Sequence, residues 1–157
     1  MEQVYCYETP IGYLTIGDNG CAITKIQFGK TENWGAESPL AKEAYKQLEE
    51  YFQGKRTQFN LPLQPKGTEF QKKVWQELCQ IPYGTTCSYK DIAIKIGNEK
   101  AVRAVGGANN KNPIMIVVPC HRVIGVSGDL IGYACGLDVK KYLLNLESKT
   151  MTGYNRQ

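Results

Sequence analysis

The chain of 157 residues is long enough for one ordinary domain or two small ones, and its 42% hydrophobic and 22% charged residues are typical of a soluble globular protein. No apolar run approaches the ~18 residues of a membrane-spanning helix, and the acidic start of the chain shows no secretory signal, so we expect a cytoplasmic protein. The net charge of +4 permits binding to a polyanion without establishing it.

Residues 4–54 combine short apolar runs, turn residues and one helical repeat, which predicts an antiparallel meander followed by a helix. The strands are predicted at 4–7, 13–16 and 21–28, with turns at 9–12 and at Asp18-Asn19-Gly20. Pro39 suits the first turn of a helix that ends at Gly54. Nothing here suggests catalysis, and the proline-containing stretch 57–66 predicts a linker. We therefore expect one domain over 1–63 and a second over 64–157.

The second half is predicted to be mainly helical. Thr68 begins a capping-box pattern for a helix over 68–80. Ser88 can cap a short helix that Gly97 ends, and Asn98 can cap the next one. A connection of about three residues would make these two helices a helix-turn-helix, although a plain helical hairpin fits the pattern equally well. A final helix is predicted from Leu137 to Glu147.

Two features of this region suggest a nucleic-acid partner. Gly106 and Gly107 lie inside the second predicted helix, where each glycine costs about 1 kcal/mol relative to alanine. Such a pair indicates that something approaches the backbone closely, and a nucleic-acid groove is one candidate. The acids Asp91 and Glu99 are outnumbered here by cations, namely Lys90, Lys95, Lys100, Arg103, Lys111 and Arg122. On charge alone, a solvated surface is an equally good interpretation.

The stretch 112–123 is the most informative part of the chain. The apolar run Ile114–Val118 lies between two prolines and predicts a short buried strand. Cys120 and His121, the only histidine, follow it directly. A thiol with a pKa of ~8.5 needs a base to become a nucleophilic thiolate, although a single cysteine is more often a buried structural residue. Because neighbouring side chains of a strand point apart, contact between the two requires a bend after Pro119 or a bridging water.

The motif Pro119-Cys120-His121-Arg122-Val123 resembles the active-site signature of the methylated-DNA–protein-cysteine methyltransferases, or O6-alkylguanine-DNA alkyltransferases. Further motifs match that family in order and spacing, namely Arg103–Ala108, Asn112-Pro113, Gly132-Tyr133 and Leu143–Glu147. The resemblance covers roughly residues 68–147 and is much weaker before them. It implies an α/β (α+β) fold, in which a small ribonuclease-H-like antiparallel sheet with a helix precedes a mainly helical, winged-helix-like domain containing a helix-turn-helix.

The resemblance also implies an activity, which is the direct repair of O6-alkylguanine, and of O4-alkylthymine, in double-stranded DNA. The base would be flipped out of the duplex and its alkyl group transferred to Cys120. Because a thioether is not easily reversed, each molecule would act once. No metal and no cofactor are expected, and neither is a membrane partner. We expect a monomer in the cytoplasm of a bacterium or an archaeon.

Five residues receive a catalytic role from the resemblance, namely Cys120, His121, Glu147, Asn112 and Tyr89. Glu147 would orient the imidazole of His121 and stabilise its charged form, in a nucleophile–base–orienter relay. The residue pattern alone does not distinguish Glu147 from the other acids, and a solvated carboxylate at a helix end is its ordinary role. Asn112 matches the family's hinge asparagine, and Tyr89 matches the tyrosine that crowds the phosphate and bonds the base edge.

The second helix of the pair would enter the minor groove. Arg103 matches the family's intercalating arginine, although an ordinary phosphate contact also fits its charge. The residues expected at the DNA are Arg103, Ala104, Gly106, Gly107, Ala108 and Tyr89. Those expected to line the base pocket are Tyr133, Val123, Ala134, Cys135 and Met115. Many relatives have glycine in place of Cys135 and some have proline in place of Met115, so benzyl and methyl adducts should react at different rates.

Three other functions remain open on the sequence. A cysteine hydrolase uses the same Cys-His-acid residues, but it needs an oxyanion site and turns over repeatedly. A non-enzymatic binder of alkylated DNA, or a helix-turn-helix regulator, is disfavoured because Cys120 is present. A thiol redox sensor would respond to peroxide without DNA. With one histidine and no CxxC pair a zinc finger is not expected, and the six cysteines are interpreted as thiols although the sequence leaves a disulfide open.

Overall fold

Contacts within the computed structural model, which describes residues 2–32, 36–126 and 136–155, divide the chain into two units. The first unit extends to Lys66 and also includes Pro113–Met115, and the second begins at Gly67. The division therefore lies slightly beyond the predicted boundary at 63/64. Pro113–Met115, which the sequence placed in the second domain, joins the first unit because Met115 N–H donates to Ile26 O at 2.8 Å.

A three-stranded antiparallel sheet forms the centre of the first unit. Its strands are β1 (Gln3–Thr9), β2 (Gly12–Asp18) and β3 (Ile23–Phe28), in that order. Gly12 ends the first turn with a φ of 99°, a conformation that glycine adopts without strain. The side-chain oxygen of Asn19 accepts the N–H groups of Cys21 and Ala22 at 2.9 Å and holds the second turn. The predicted meander is confirmed.

Helix α1 (Pro39–Phe52) covers this sheet. Ser38 caps it by accepting the N–H of Ala41 at 2.9 Å, and Pro39 occupies the first turn as predicted. The apolar face of α1 is buried with residues of the sheet, and this core includes Leu14, Ile16, Ile26, Ala44, Leu48 and Tyr51. Each fully buried large side chain contributes roughly 1.5–3 kcal/mol through the hydrophobic effect.

The second unit is mainly helical. It contains α2 (Glu69–Leu78), α3 (Tyr89–Lys95), α4 (Val102–Asn110) and α5 (Leu137–Asn155), with a short parallel pair of strands, β4 (Cys87–Ser88) and β5 (Val123–Ile124). The predicted capping box at Thr68 is present, and α3 begins with a second one at Ser88. The indole of Trp75 donates to Ala108 O at 2.8 Å and joins α2 to α4. The predicted mixed α/β fold class is confirmed.

Two details of the helices differ from the prediction. Residues 96–101, rather than about three residues, connect α3 to α4, because the chain turns at Gly97 (φ 81°) and Ala101 N–H then donates to Asn98 O. Asn98 is therefore not the cap of α4, which begins without a side-chain cap. Helix α5 continues past Glu147 to Asn155, since no glycine or proline follows Glu147 before Gly153. None of the helices described is long and apolar enough to cross a membrane.

The strand predicted over Ile114–Val118 is wrong. Ile114 makes one isolated bridge to Ile26, and the residues after it form a tight turn in which Ile116 has a φ of 72°. The amide of Asn112 donates to Val118 O at 2.7 Å. A strand would separate these two residues by about 20 Å, so this single bond excludes one. The apolar run is buried as predicted, but in a different backbone conformation.

Candidate active site

One turn of 3₁₀ helix, Cys120–Arg122, places three consecutive polar side chains in the interior of the second unit. Cys120 is 1% exposed and His121 is fully buried. The chain bends in the tight turn before Pro119 and in the 3₁₀ turn after it, but Nδ1 of His121 is not hydrogen-bonded to Cys120. A positive φ at a β-branched residue such as Ile116 costs on the order of 1–3 kcal/mol, so the approach to Cys120 is held under local strain.

Glu147, on α5, accepts hydrogen bonds from side chains of this turn. Its Oε2 lies 2.7 Å from Nε2 of His121, and the N–H of Gly84 donates to its Oε1 at 3.2 Å. Burial by itself raises the pKa of Glu147, but the hydrogen bonds from His121 and Arg122 and the charge of Arg122 outweigh it and lower the pKa to about 2. The carboxylate is therefore ionised at neutral pH.

The imidazole of His121 is neutral at neutral pH. Burial lowers the pKa of His121, the hydrogen bond to Glu147 opposes this shift, and the charges of Arg122 and Lys140 lower the pKa further. Because an ionised carboxylate can only accept, the hydrogen of the ring must be on Nε2 and Nδ1 must carry the lone pair. Within the described residues the buried Nδ1 has no hydrogen-bond partner. His121 is thus arranged to accept a proton at Nδ1.

Arg122 is a site residue that the sequence did not identify. Its Nε donates to Oε1 of Glu147 at 2.9 Å and its Nη2 to Oε2 at 3.0 Å, while Nη1 donates to Ile81 O at 2.8 Å. Arg122 was counted from the sequence with the other cations between residues 90 and 122, whereas the residue is only 7% exposed. The signal in the sequence that could have identified Arg122 as a site residue was its position in the Cys-His-Arg motif. Arg122 balances the charge of Glu147, so His121 does not have to be protonated.

Asn109 on α4 and Tyr89 on α3 are neutral residues that interact with Cys120. Asn109 Nδ2 donates to Cys120 O at 3.4 Å, and Asn112 ties the end of α4 to Val118. Tyr89 is the first residue of α3, and its pKa is raised first by burial and then by the charge of Cys120. The phenol of Tyr89 is therefore close enough to Cys120 to interact with it electrostatically.

The sequence matches two family models that together span most of the chain. The ribonuclease-like domain of 6-O-methylguanine DNA methyltransferase matches residues 4–65, and the DNA-binding domain of the same proteins matches residues 69–149. This chain belongs to the 6-O-methylguanine DNA methyltransferase family. The resemblance in the Cys-His-Arg region thus extends to the first unit as well.

Relatives of this 6-O-methylguanine DNA methyltransferase family member come from archaea and bacteria. The methylated-DNA–protein-cysteine methyltransferase of Methanosarcina barkeri is 48% identical over 151 residues, 92% of this chain and 96% of that protein. The constitutive enzyme of Bacillus subtilis is 49% identical over 152 residues, 89% of this chain and 92% of that protein. The predicted family is confirmed.

Two crystal structures of a Mycobacterium tuberculosis protein share the fold of this methyltransferase. Its O6-methylguanine methyltransferase aligns with a TM-score of 0.87 and 42% identity, over 96% of this chain and 94% of that one. The same organism's OGT in complex with DNA also aligns with a TM-score of 0.87, at 44% identity over 92% of each chain.

The predicted DNA-binding residues of the methyltransferase lie on two faces of α4, except for Tyr89, which begins α3. Arg103, Ala104 and Gly107 are exposed on one side, and Gly106 is partly buried. Ala108, which the prediction grouped with them, is 3% exposed and packs inward, where its carbonyl accepts the bond from Trp75. A Cβ added at Gly107 would meet nothing within 4 Å, so the fold itself does not require glycine there.

The cations around α3 and α4 are largely on the surface. Except for Arg122, the cations that were counted from the sequence are exposed, namely Lys90, Lys95, Lys100, Arg103 and Lys111. A concentration of positive charge of this kind attracts a phosphate backbone.

The predicted pocket residues are only partly within the described chain. Tyr133, Ala134 and Cys135 lie outside the described residues. Val123 begins β5 next to the 3₁₀ turn, and its carbonyl accepts a bond from Lys140 at 2.6 Å. Met115 is 4% exposed and belongs to the first unit.

Proposed function

We propose that this chain is a methylated-DNA–protein-cysteine methyltransferase that moves the alkyl group of O6-alkylguanine in double-stranded DNA onto Sγ of Cys120. The observation that carries the proposal is the pairing of a neutral, buried His121, the residue that directly follows Cys120 in the chain, with an ionised Glu147. Among the described cysteines, Cys120 alone is buried, and the chain has no second histidine. Burial raises the pKa of Cys79 and of Cys87, which favours the thiol form of both.

The transfer begins with the proton of Cys120. Nδ1 of His121 accepts it through a bridging water, because Nδ1 and the thiol are not hydrogen-bonded directly, and Glu147 stabilises the resulting imidazolium at Nε2. The thiolate attacks the alkyl carbon, so that an S–C bond forms while the C–O6 bond breaks and its electron pair remains on the base. A hydrogen bond to the base lowers the energy of the departing anion, and the raised pKa of Tyr89 keeps its O–H available as the donor at neutral pH.

The product explains why each molecule acts once. A thioether has no good leaving group, so neither water nor a second base displaces the alkyl group from Cys120. Regeneration would require a co-reactant, and no step of the transfer itself uses a cofactor. O4-alkylthymine presents the same alkoxy carbon beside a ring nitrogen, so we include it among the substrates.

The burial of Cys120 requires the base to leave the duplex. At 1% exposure Sγ is out of reach of a stacked base, so the nucleotide must be flipped out. We propose that α4 lies in the minor groove, where Arg103 fills the space that the base leaves. The exposed Arg103, Ala104 and Gly107 and the surrounding cations support this arrangement. The complex of the Mycobacterium tuberculosis relative with DNA supports DNA as the partner.

Gly107→Ala tests the contact between α4 and DNA. We expect unchanged or slightly higher stability, by up to about 1 kcal/mol, because alanine favours the helix and its Cβ meets no protein atom within 4 Å. Duplex affinity should fall about tenfold or more, since the methyl group would hold the backbone away from the groove. Thermal unfolding and fluorescence anisotropy measure the two effects, with the exposed Gln76→Ala on α2 as the control. Unchanged duplex affinity would place the DNA elsewhere.

The function is tested by nucleoside analysis of a duplex carrying O6-methylguanine. Excess DNA should yield one guanine per protein molecule and then no more. Cys120→Ser should abolish this conversion, while Cys87→Ser, which alters a half-buried thiol of the same unit, should leave it intact. Conversion that survives in Cys120→Ser would exclude Cys120 as the acceptor. Tight binding to the lesion without conversion by the unaltered protein would indicate a recognition protein instead.

A further inference from the structure

Asn109 is a buried amide on α4, and the mechanism above does not use it. It is 1% exposed, and the other buried residues of the helix, Val105 and Ala108, are apolar. An apolar side chain can be buried without losing hydrogen bonds, whereas burial of an amide is unfavourable unless its polar atoms find partners. The contacts of Asn109 should therefore show why an amide is placed there.

The amide of Asn109 lies against the peptide group that joins Cys120 to His121. Its Nδ2 donates to Cys120 O at 3.4 Å, which is long for a hydrogen bond of this type. The same carbonyl also accepts the N–H of Val123, so it does not depend on Asn109 for a partner. Because a carbonyl oxygen can only accept, Nδ2 must face it and Oδ1 is left for another partner.

Two buried acceptors are thus found on the two sides of this peptide group. Within the described residues neither Oδ1 of Asn109 nor Nδ1 of His121 has a hydrogen-bond partner. Oδ1 is an amide oxygen, and Nδ1 carries a lone pair because the hydrogen of the ring is on Nε2, toward Glu147. Buried polar atoms of folded proteins are almost always hydrogen-bonded, to protein or to water, so we expect a donor that serves both.

A single water can serve both acceptors and the thiol. Buried waters typically form about three hydrogen bonds to polar groups that have no other partner. One hydrogen of the water would face Nδ1 and the other Oδ1, which leaves the oxygen free to accept the hydrogen of the Cys120 thiol. The thiol cannot replace the water, since it has one hydrogen for two acceptors.

We propose that Asn109 is a positioning residue for the alkyl transfer, and that its Oδ1 holds the water through which Cys120 passes its proton to His121. The S–H bond breaks with its electron pair left on sulfur, and the water gains that hydrogen while it gives the one facing Nδ1 to the imidazole. The other hydrogen stays on Oδ1 throughout and fixes the orientation of the water. This inference rests on the proposed function, since it concerns the same proton.

Asn109 affects the transfer through the water and not through charge. The titratable or charged groups that act electrostatically on Cys120 or His121 are Tyr89 on α3, Arg122 on the 3₁₀ turn, and Lys140 and Glu147 on α5. None of these groups is on α4, and an amide bears no charge. Replacing Asn109 with an apolar residue therefore leaves this set of charges unchanged.

The first test is the 15N spectrum of His121 without DNA at neutral pH. His121 is the only histidine, so selective labelling of histidine gives a single pair of ring signals. The unaltered protein should show a hydrogen on Nε2 and, on Nδ1, a lone pair that accepts a hydrogen bond. Asn109→Leu should move the Nδ1 signal toward that of a lone pair without a hydrogen bond. Asn110→Leu, which replaces the exposed neighbour of identical type, should leave the signal in place.

The second test is the rate at which iodoacetamide alkylates Cys120 without DNA, followed by peptide mapping between about pH 6 and about pH 10. Asn109→Leu should react about tenfold more slowly near neutral pH, the effect of one lost hydrogen bond. The difference should disappear near about pH 10, because the thiol then ionises without the help of His121. A purely structural disturbance would instead change the rate at every pH.

An unchanged Nδ1 signal in a folded Asn109→Leu variant would overturn the inference, and a lower melting temperature beside it would show that Asn109 only anchors α4 to Cys120. If Asn109→Leu does not fold, Asn109→Ala removes the same polar atoms, favours the helix and takes its place in both tests. An Nδ1 signal without a hydrogen bond in the unaltered protein would also overturn the inference. The expected signals in a protein that takes no methyl group from DNA would refute the proposed function and leave the role of Asn109 standing.

Discussion

Replacing Glu147 with glutamine is expected to slow methyl transfer by about 10²–10⁴-fold, the range for loss of a positioned base. The carboxylate accepts one hydrogen bond from Nε2 of His121 and two from the guanidinium group of Arg122. A glutamine amide has one acceptor oxygen, so its NH₂ group must face a donor on one side. The hydrogen of His121 then loses its fixed place on Nε2, and Nδ1 is no longer held as the proton acceptor.

The same substitution should lower the free energy of unfolding by about 3–5 kcal/mol, because it leaves the buried charge of Arg122 without its partner. Single-turnover kinetics and urea unfolding measure the two effects, with kinetics taken at a temperature where the variant is folded. Asp138→Asn, an exposed acid at the start of the same helix, is the matched control and should change neither. Near-normal transfer by a folded Glu147→Gln variant would exclude the relay.

Lowering the pH is expected to destabilise the protein over a pH range that is set by the pKa values of Glu147 and His121. The pKa of Glu147 is about 2 in the folded protein, against an ordinary value of 4.5. Its contribution to the free energy of unfolding is therefore complete above pH 4.5 and is lost as the pH falls toward 2. This contribution is on the order of 3 kcal/mol. His121 acts in the same direction, because its pKa is lowered from 6.5 and the unfolded chain therefore binds the proton first as the pH falls below 6.5.

Urea unfolding over a pH series checks this expectation. The difference in unfolding free energy between the unaltered protein and Glu147→Gln should be largest near neutral pH and should shrink below about pH 4.5. Asp138→Asn should follow the unaltered protein throughout. A difference that is independent of pH would show that the carboxylate of Glu147 is not held ionised by its neighbours.

The sequence predicted the first unit well because its determinants are local. The turn at Asn19 and the cap at Ser38 involve residues within three positions of one another, so they are visible in a short stretch of chain. The strand over Ile114–Val118 failed because an apolar run specifies burial and leaves the backbone conformation open. The bond from Asn112 to Val118 decides that conformation, and only the folded chain shows it.

The site was predictable to a similar extent. Cys120 and His121 are adjacent in a recognisable motif, and the structure brings Glu147 to His121 from 26 positions away. The Cys-His-Arg motif indicated that Arg122 is near the site but did not show its partners, because Glu147 and Ile81 are 25 and 41 positions distant. Lys140 and Lys141 are neighbours of identical type, and only the packing of α5 buries one and exposes the other.

The most direct measurement is the mass of the intact protein after incubation with duplex DNA that carries O6-methylguanine, followed by peptide mapping. We expect each molecule to gain one methyl group, about 14 Da, located on Cys120 and absent in Cys120→Ser. A methyl group on another residue, or guanine formed while the protein mass stays unchanged, would contradict the assignment of Cys120 as the acceptor.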